Sequence, residues 1–215
     1  MKKVTSAVIA ATIAVVCTGY VFVPKLAAGT DDQSSVKTAK SAATYQPFYV
    51  YIDDQNKANH FFPSGWMGDY GDLRVNNAWT DNVRSGNTCI KISYNAKMSQ
   101  KAGWTGMYWQ QPMSNWGDKK GGYNLTGATK LSFWARGDKG GEKITEFKLG
   151  GITGEFPDSD TAAIGPIELS TKWKKYSIDL KGKDLTNIIG GFCWSASKDD
   201  NPNGLVMFLD DVVYE

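Results

Sequence analysis

Apolar and polar residues alternate in several short segments, with the period of two that is typical of β-strands. Segment 88–94 shows it clearly, because apolar Ile90 and Ile92 alternate with polar Lys91 and Ser93. Glycine pairs and an Asn-Pro-Asn-Gly turn separate such segments. The pattern predicts an all-β fold, a two-sheet antiparallel β-sandwich of the jelly-roll type. Its predicted strands cover 48–52, 88–94, 104–111, 130–136, 145–149, 173–180, 191–196 and 205–214.

The first 46 residues read differently from the rest of the chain. Two lysines precede an uncharged stretch from Val4 to Val23, which predicts a signal peptide over 1–28, with cleavage after Ala28. An uncleaved membrane anchor is the alternative, because the stretch is long enough to span a bilayer. Cys17 suggests a lipoprotein as a further hypothesis. Lipoprotein signals have Gly or Ala before the cysteine, however, and this chain has Val16 there. Residues 29–46 are predicted to be a flexible linker and 47–215 the sandwich domain, in a secreted, periplasmic or cell-surface protein.

The charge of the chain argues against nucleic acid as a partner. The formal net charge is only +2, and part of it belongs to the N-terminal segment. Nucleic-acid affinity depends on neutralising phosphates, often through arginine, and the chain has three arginines. We expect no nucleic-acid partner. Contact with a membrane is expected only through the N-terminal segment, if it is uncleaved.

The chain is rich in aromatic residues, with 8 Trp, 10 Tyr and 9 Phe. Large rings fill sandwich cores, but exposed rings also form platforms on which sugars stack. Alternation places Trp104 and Tyr108 on one face of their strand and Trp109 on the other. In segment 130–136 it places Trp134 and Arg136 opposite the apolar side, so we expect both to be exposed. The predicted ligand-binding residues are Trp134, Arg136, Trp104, Tyr108, Trp109 and Trp194.

No arrangement of residues indicates an enzyme, and no catalytic residue is predicted. The chain has one histidine, His60, on which any serine or cysteine nucleophile would have to depend. The five glutamates of the sandwich domain are scattered through turns and strand ends, without the paired setting that a glycosidase needs.

Acidic pairs in the first and last predicted strands indicate a cation site. Asp53-Asp54 and Asp210-Asp211 converge if the terminal strands pair, and Ca²⁺ would relieve the repulsion. In the alternative, the carboxylates point to opposite faces and are solvated separately. The sequence allows two interpretations of Cys89 and Cys193. They form a disulfide, or they are two buried free thiols.

Several segments resemble the jelly-roll carbohydrate-binding modules of the galactose-binding-like type that are attached to bacterial glycoside hydrolases. The resemblance spans roughly 48–215 and implies that glycans bind on a concave sheet face through aromatic side chains. It also implies a structural calcium at Asp53 and Asp210, assisted by Asp54 or Gln55. The segments that carry it are Tyr123-Asn124-Leu125, Leu131 to Gly137, Trp173 to Leu180 and Met207 to Val212.

Two functions from different classes follow. The first is an exported non-catalytic carbohydrate-binding protein, with a polysaccharide or a cell-surface glycan as its partner. The alternative is a cell-surface or extracellular-matrix structural subunit that self-associates through the same aromatic face. A groove with rings beside polar groups favours the first, and a large flat aromatic patch favours the second.

Overall fold

The computed structural model describes residues 45–215. In this range the regular structure consists of thirteen strands and one 3₁₀ turn, Tyr70–Asp72. The strands are β1 Phe48–Tyr51, β2 Phe62–Gly68, β3 Leu73–Trp79, β4 Cys89–Tyr94, β5 Trp104–Gln110, β6 Lys130–Gly137, β7 Lys143–Ile144, β8 Glu146–Gly150, β9 Thr161–Ile164, β10 Ile167–Glu168, β11 Lys174–Asp179, β12 Gly190–Ser197 and β13 Leu205–Tyr214.

Two large antiparallel sheets contain most of the strands. The six-stranded sheet has the order β11-β6-β13-β4-β3, and β1 adds to the end of β13. The five-stranded sheet has the order β2-β5-β12-β8-β9. A separate pair joins β7 to β10. The predicted all-β, two-sheet antiparallel sandwich is confirmed.

The core between the sheets is built largely from aromatic rings. Phe133 of the six-stranded sheet contacts Phe147 and Phe192 of the other sheet, with centroids 4.7 and 5.1 Å apart. Trp109 packs on Phe192 at 5.6 Å, and Trp194 is fully buried beside them. Aromatic side chains bury more apolar area than any others, and they interlock at these edge-to-face distances. The sheets are therefore held together at their centre by rings from both.

The two cysteines cannot form the disulfide that the sequence left open. Cys89 and Cys193 are both free and buried. The core takes Ile90 from β4, so Cys89 lies on the outer face of the six-stranded sheet. Cys193 packs with Tyr108 outside the core, on the outer face of the five-stranded sheet. The thiols thus point away from each other on opposite sides of the sandwich, which no disulfide geometry can bridge.

The predicted signal peptide or anchor, and nearly all of the predicted linker, lie in residues 1–44, outside the described residues. Within 45–215 no helix is long and apolar enough to cross a membrane.

Replacing a core ring should cost far more stability than replacing an exposed one. We expect Trp194→Ala to lower the free energy of unfolding by about 3–5 kcal/mol, because it leaves a large cavity between the sheets. The matched control is Trp66→Ala, since Trp66 is 43% exposed, and its cost should stay below about 1 kcal/mol. Urea unfolding followed by far-UV circular dichroism measures both. Equal losses in the two variants would contradict the position of Trp194 in the core.

Candidate functional site

The outer face of the five-stranded sheet is the candidate site. The strand register aligns β12 with β5 and β8, so that Cys193 lies between Tyr108 and Lys148. Two residues further along β12, Ser195 pairs with Gly106 and with Glu146. Side chains that are paired across antiparallel strands point to the same side of a sheet. This side faces away from the core, and we call it the outer sheet face.

Alternation along β5 places the predicted residues as expected from the sequence. Trp104 and Tyr108 lie on the outer sheet face, whereas Trp109 points into the core. Trp104 is 41% exposed at one end of the strand. At a rise of about 3.3 Å per residue, about 13 Å separates the two positions along β5. The outer sheet face is therefore longer than a single sugar ring in this direction.

Tyr108 is the buried floor of the face rather than an open platform. It is 4% exposed, and its hydroxyl donates a hydrogen bond to the carbonyl of Gly150 at 2.9 Å. The edge of Trp116 stands over the ring with centroids 5.9 Å apart, and Lys148 Nζ lies 5.5 Å from the ring centroid. Burial raises the pKa of Tyr108, so the phenol stays neutral. The ring that meets solvent here is Trp116, which is 43% exposed.

A network of side-chain bonds fixes the loop that carries Trp116. Ser64 of β2 donates to Gln110 Oε1 at 3.0 Å, and Gln110 Nε2 donates to the carbonyl of Asn115 at 2.8 Å. Asn115 Oδ1 in turn accepts the N–H of Gly117 at 3.0 Å. These buried bonds are costly to break, so the loop and its tryptophan are held on the sheet. Sequence alternation missed Trp116 because it lies in a loop.

Asp69 fixes the opposite end of the face. Its backbone N–H donates to the carbonyl of Trp104 at 2.8 Å. Its buried carboxylate accepts the N–H groups of Gln100, Ala102 and Gly103 at 2.8–3.0 Å. Burial alone would raise the pKa of Asp69, but these three bonds outweigh it and lower the pKa. The carboxylate therefore stabilises the turn that leads into Trp104.

Polar groups lie between the two exposed indoles. Lys148 Nζ is 3.6 Å from Glu146 Oε1, and both side chains are partly exposed. Ser195 and Ser197 of β12 are partly exposed on the same face. Ammonium, carboxylate and hydroxyl groups can bond a ligand that carries many hydroxyls. Rings at the ends and polar groups between them suit a ligand that is both flat and polar.

Two of the predicted binding residues are in the core, and this corrects the sequence interpretation. Trp109 and Trp194 are 1% and 0% exposed. Alternation had separated Trp109 from Trp104, but it did not show which face was inside. Neither indole lies on the outer sheet face, because both point into the core between the sheets.

The predicted pair Trp134 and Arg136 lies on the outer face of the other sheet, beneath a covering segment. We call residues 80–88, which connect β3 to β4, the strap. Arg84 of the strap stacks on Trp134, with its guanidinium carbon 4.0 Å from the ring centroid. Arg136 is 6% exposed and lies 3.6 Å from the centroid of Phe208. The expectation of an open face is therefore wrong for Arg136, whereas Trp134 stays partly exposed under Arg84. Sequence alternation does not show what a loop will cover.

The predicted calcium ligands hold the strap. Asp53 Oδ1 accepts the N–H groups of Asn87 and Thr88, each at 2.8 Å. Asp210 Oδ2 accepts those of Arg84 and Ser85 at 3.0 and 3.3 Å.

This donor set does not fit a cation, because backbone N–H groups already occupy oxygens that Ca²⁺ would need. Within 45–215 no cluster of three acidic, histidine or cysteine side chains could hold a metal ion. Structural Ca²⁺ at Asp53 and Asp210 stays a prediction that this geometry does not favour.

A cleft of about 520 Å³ at one end of the sandwich is a weaker candidate for a sugar site. Charged residues of both signs line it, among them Asp72, Arg74 and Asp138. Its one aromatic residue, Tyr94, is 2% exposed. The cleft therefore offers no ring on which a sugar could stack.

No protein-family model matches the chain, and no curated protein sequence matches it. Solved structures do. One is a family 30 carbohydrate-binding module of a cellulosomal cellulase of Clostridium thermocellum, with 15% identity and a TM-score of 0.52 over 79% of this chain and 97% of that chain. Another family 30 module gives 13% identity and a TM-score of 0.53 over 79% and 98%.

These similarities define the class of fold. The chain has the β-sandwich fold of family 30 carbohydrate-binding modules, and the resemblance expected from the sequence is confirmed for the fold. The matches cover nearly the whole of those modules, so both sheets take part in the similarity. At such low identity the match concerns the fold alone.

Asp210 should make stability fall as pH rises. Burial, with Asp211 next to it, raises the pKa of Asp210 from 3.8 to about 7. Between about pH 4 and 7 the unfolded chain loses this proton while the folded chain keeps it. The protonated carboxyl of Asp210 therefore contributes its full stabilisation to the folded state below about pH 4 and none above about pH 7. Between these values the free energy of unfolding falls with a slope approaching 1.4 kcal/mol per pH unit. Urea unfolding from pH 4 to 8 should show this slope in the wild type and a flatter one in Asp210→Asn. The exposed control Asp200→Asn should keep the slope, and an unchanged slope in Asp210→Asn would contradict the assignment.

Removing the Asp69 carboxylate should destabilise the end of the face that carries Trp104. Asp69→Ala leaves three backbone N–H groups without their acceptor, and we expect a loss of about 3 kcal/mol in the free energy of unfolding. The exposed control Asp199→Ala should change it by less than about 0.5 kcal/mol. Urea unfolding measures both, and a loss in Asp69→Ala no larger than that of the control would show that the carboxylate does not hold the turn.

Proposed function

We propose that the protein is an exported, non-catalytic carbohydrate-binding protein that holds a glycan chain on the outer sheet face. The observation that carries the proposal is the pair of exposed indoles, Trp104 and Trp116, at the two ends of one sheet face. Polar groups of β8 and β12 lie between them. An indole supplies the flat apolar surface on which the C–H face of a sugar ring packs, and the polar groups bond its hydroxyls.

The spacing of the rings supports an oligosaccharide rather than a single sugar. Trp104 stands about 13 Å along β5 from Tyr108, and Trp116 stands over Tyr108. One pyranose ring cannot contact both indoles, whereas a chain of several rings can. The fold shared with family 30 carbohydrate-binding modules agrees with this ligand class but does not establish it.

The carboxyl groups near the face support binding without hydrolysis. Glu146 is paired with Lys148 at 3.6 Å. Asp158 has a raised pKa because it is buried, but it accepts N–H groups from Ile152, Ile189 and Gly190. A glycosidase needs two carboxyl groups that are free to reach one glycosidic bond. Here Asp158 is held by three backbone N–H groups and is not free, so it cannot act as a second carboxyl group beside Glu146.

Export rests on the N-terminal sequence, where Lys2 and Lys3 precede the uncharged stretch Val4 to Val23. Polysaccharides and cell-surface glycans lie outside the cytoplasm, so an export signal brings the protein to them. Retention by an uncleaved anchor would leave the outer sheet face at the cell surface, with the same ligand.

An assembly role is favoured by a different group of exposed residues. β2 is an edge strand, and it carries Trp66 and Phe62, which are 43% and 44% exposed. Tyr70 follows at 51%. An unpaired strand edge with exposed rings can join a second chain. This edge is separate from the outer sheet face. Substitution of Trp66 should therefore affect assembly, whereas substitution of Trp104 should affect glycan binding.

A glycan array followed by calorimetric titration tests the proposal. We expect the wild type to retain at least one polysaccharide. Trp104→Ala should weaken its affinity about tenfold or more, because about 1.4 kcal/mol of stacking is lost. Trp66→Ala removes an indole of matched exposure from the β2 edge and should leave affinity within about twofold.

The outcomes separate the two functions. Absence of any retained glycan would sink carbohydrate binding, and so would equal losses in both variants. A concentration-dependent oligomer that only Trp66→Ala dissolves, without glycan retention, would establish assembly instead.

A further inference from the structure

A second pocket lies away from the outer sheet face, beside β1, β2 and β3. Its volume is about 420 Å³, within the range of small-molecule sites. The segment between β1 and β2 forms one wall, and Asn77 of β3 contributes to another. We propose that this pocket binds a single neutral sugar unit, independently of the glycan chain on the outer sheet face.

The pocket combines an apolar floor with an aromatic side. Val50, Phe61 and Trp109 line it and are at most 2% exposed, so they form a rigid base. Phe62 lines it as well and is 44% exposed. A large exposed ring beside an apolar floor leaves a surface on which a sugar ring can pack.

Amide groups supply the polar part of the lining. Gln55, Asn56, Asn59 and Asn77 all line the pocket. Amides both donate and accept, as ligand hydroxyls do. The charged side chains of the lining are Asp54 and Lys57, whose charges cancel. This chemistry selects a neutral, hydroxyl-bearing ligand over an anion or a cation.

Asn77 carries an unused acceptor. Its Oδ1 is buried and has no hydrogen-bond partner. Its backbone carbonyl is already used, because the Tyr51 hydroxyl donates to it at 2.6 Å. Buried acceptors without a donor are rare in folded proteins. Asn77 lines the pocket, so a turn of its side chain would bring Oδ1 to a hydroxyl of the bound sugar, which supplies the missing donor.

The wall is built before any ligand arrives. Asn59 Oδ1 accepts the N–H of Ile52 at 3.0 Å, and Asn59 Nδ2 donates to the carbonyl of Asp53 at 2.7 Å. The Tyr51 hydroxyl also lies 3.0 Å from Thr88 Oγ1. A preformed wall reduces the ordering that binding would otherwise require.

Titration of ¹⁵N-labelled full-length protein with the methyl glycosides of glucose, mannose, galactose and xylose tests the pocket. We expect at least one glycoside to shift the indole N–H signal of Trp109 saturably, in the wild type and equally in Trp104→Ala. Phe62→Ala should raise the apparent Kd about fivefold or more, and Asn77→Ala similarly. Asn77→Ala breaks no bond of Oδ1, so its melting temperature should match the wild type.

Two results would overturn the pocket. One is the absence of a saturable Trp109 shift with all four glycosides. The other is a shift that disappears in Trp104→Ala, because the signal would then come from the outer sheet face. Failure of the proposed function is distinguishable, since it removes polysaccharide retention and leaves the Trp109 titration unchanged.

Discussion

The antiparallel pairing of β5 with β12 determines which aromatic rings hold the sandwich together and which remain available. Trp194 pairs with Met107, and Phe192 pairs with Trp109, so all four point into the core. The alternate residues then have to point outward. A slip of one residue would exchange the two sets and place polar Ser195 inside the core. The outer sheet face therefore exists because the inner face has to be apolar.

Chemically identical side chains have three different environments in this fold. Trp109 and Trp194 are enclosed between the sheets, whereas Trp134 lies against Arg84 of the strap. Trp104 and Trp116 remain exposed. Each environment follows from what lies above the ring, namely the opposite sheet, a loop or solvent. Only the third leaves an indole face open for a glycan chain to stack on, and the proposed function depends on it.

Alternation in the sequence predicted most of the longer strands, although it missed β3, in which more and less exposed residues also alternate. The predicted segment 130–136 agrees with β6, and 205–214 agrees with β13. β2 escaped prediction because Pro63 and Gly65 interrupt the pattern and the register shifts between them. Turn chemistry and periodicity are local signals, so a bulged edge strand that contains proline gives neither clearly.

The candidate site was less predictable than the fold. Alternation alone placed Trp104 and Tyr108 on one face of β5 and Trp109 on the other, but it did not decide which face lies outside the core. Trp116 was missed, since its position depends on the contact of its loop with Ser64, some fifty residues earlier. Asp53 and Asp210 were predicted as metal ligands from their charge, but charge alone does not reveal that strap N–H groups already bond them. Contacts between residues far apart in sequence explain each of these differences.

Oxidative labelling of tryptophans, read by mass spectrometry, shows directly which indoles a bound glycan covers. The protein would be labelled with and without a polysaccharide that it retains. We expect the polysaccharide to protect Trp104 and Trp116, while Trp66, of similar exposure on the β2 edge, is oxidised to the same extent in both samples. Protection of Trp66 alone, or equal oxidation of Trp104 and Trp116 in both samples, would contradict glycan binding on the outer sheet face.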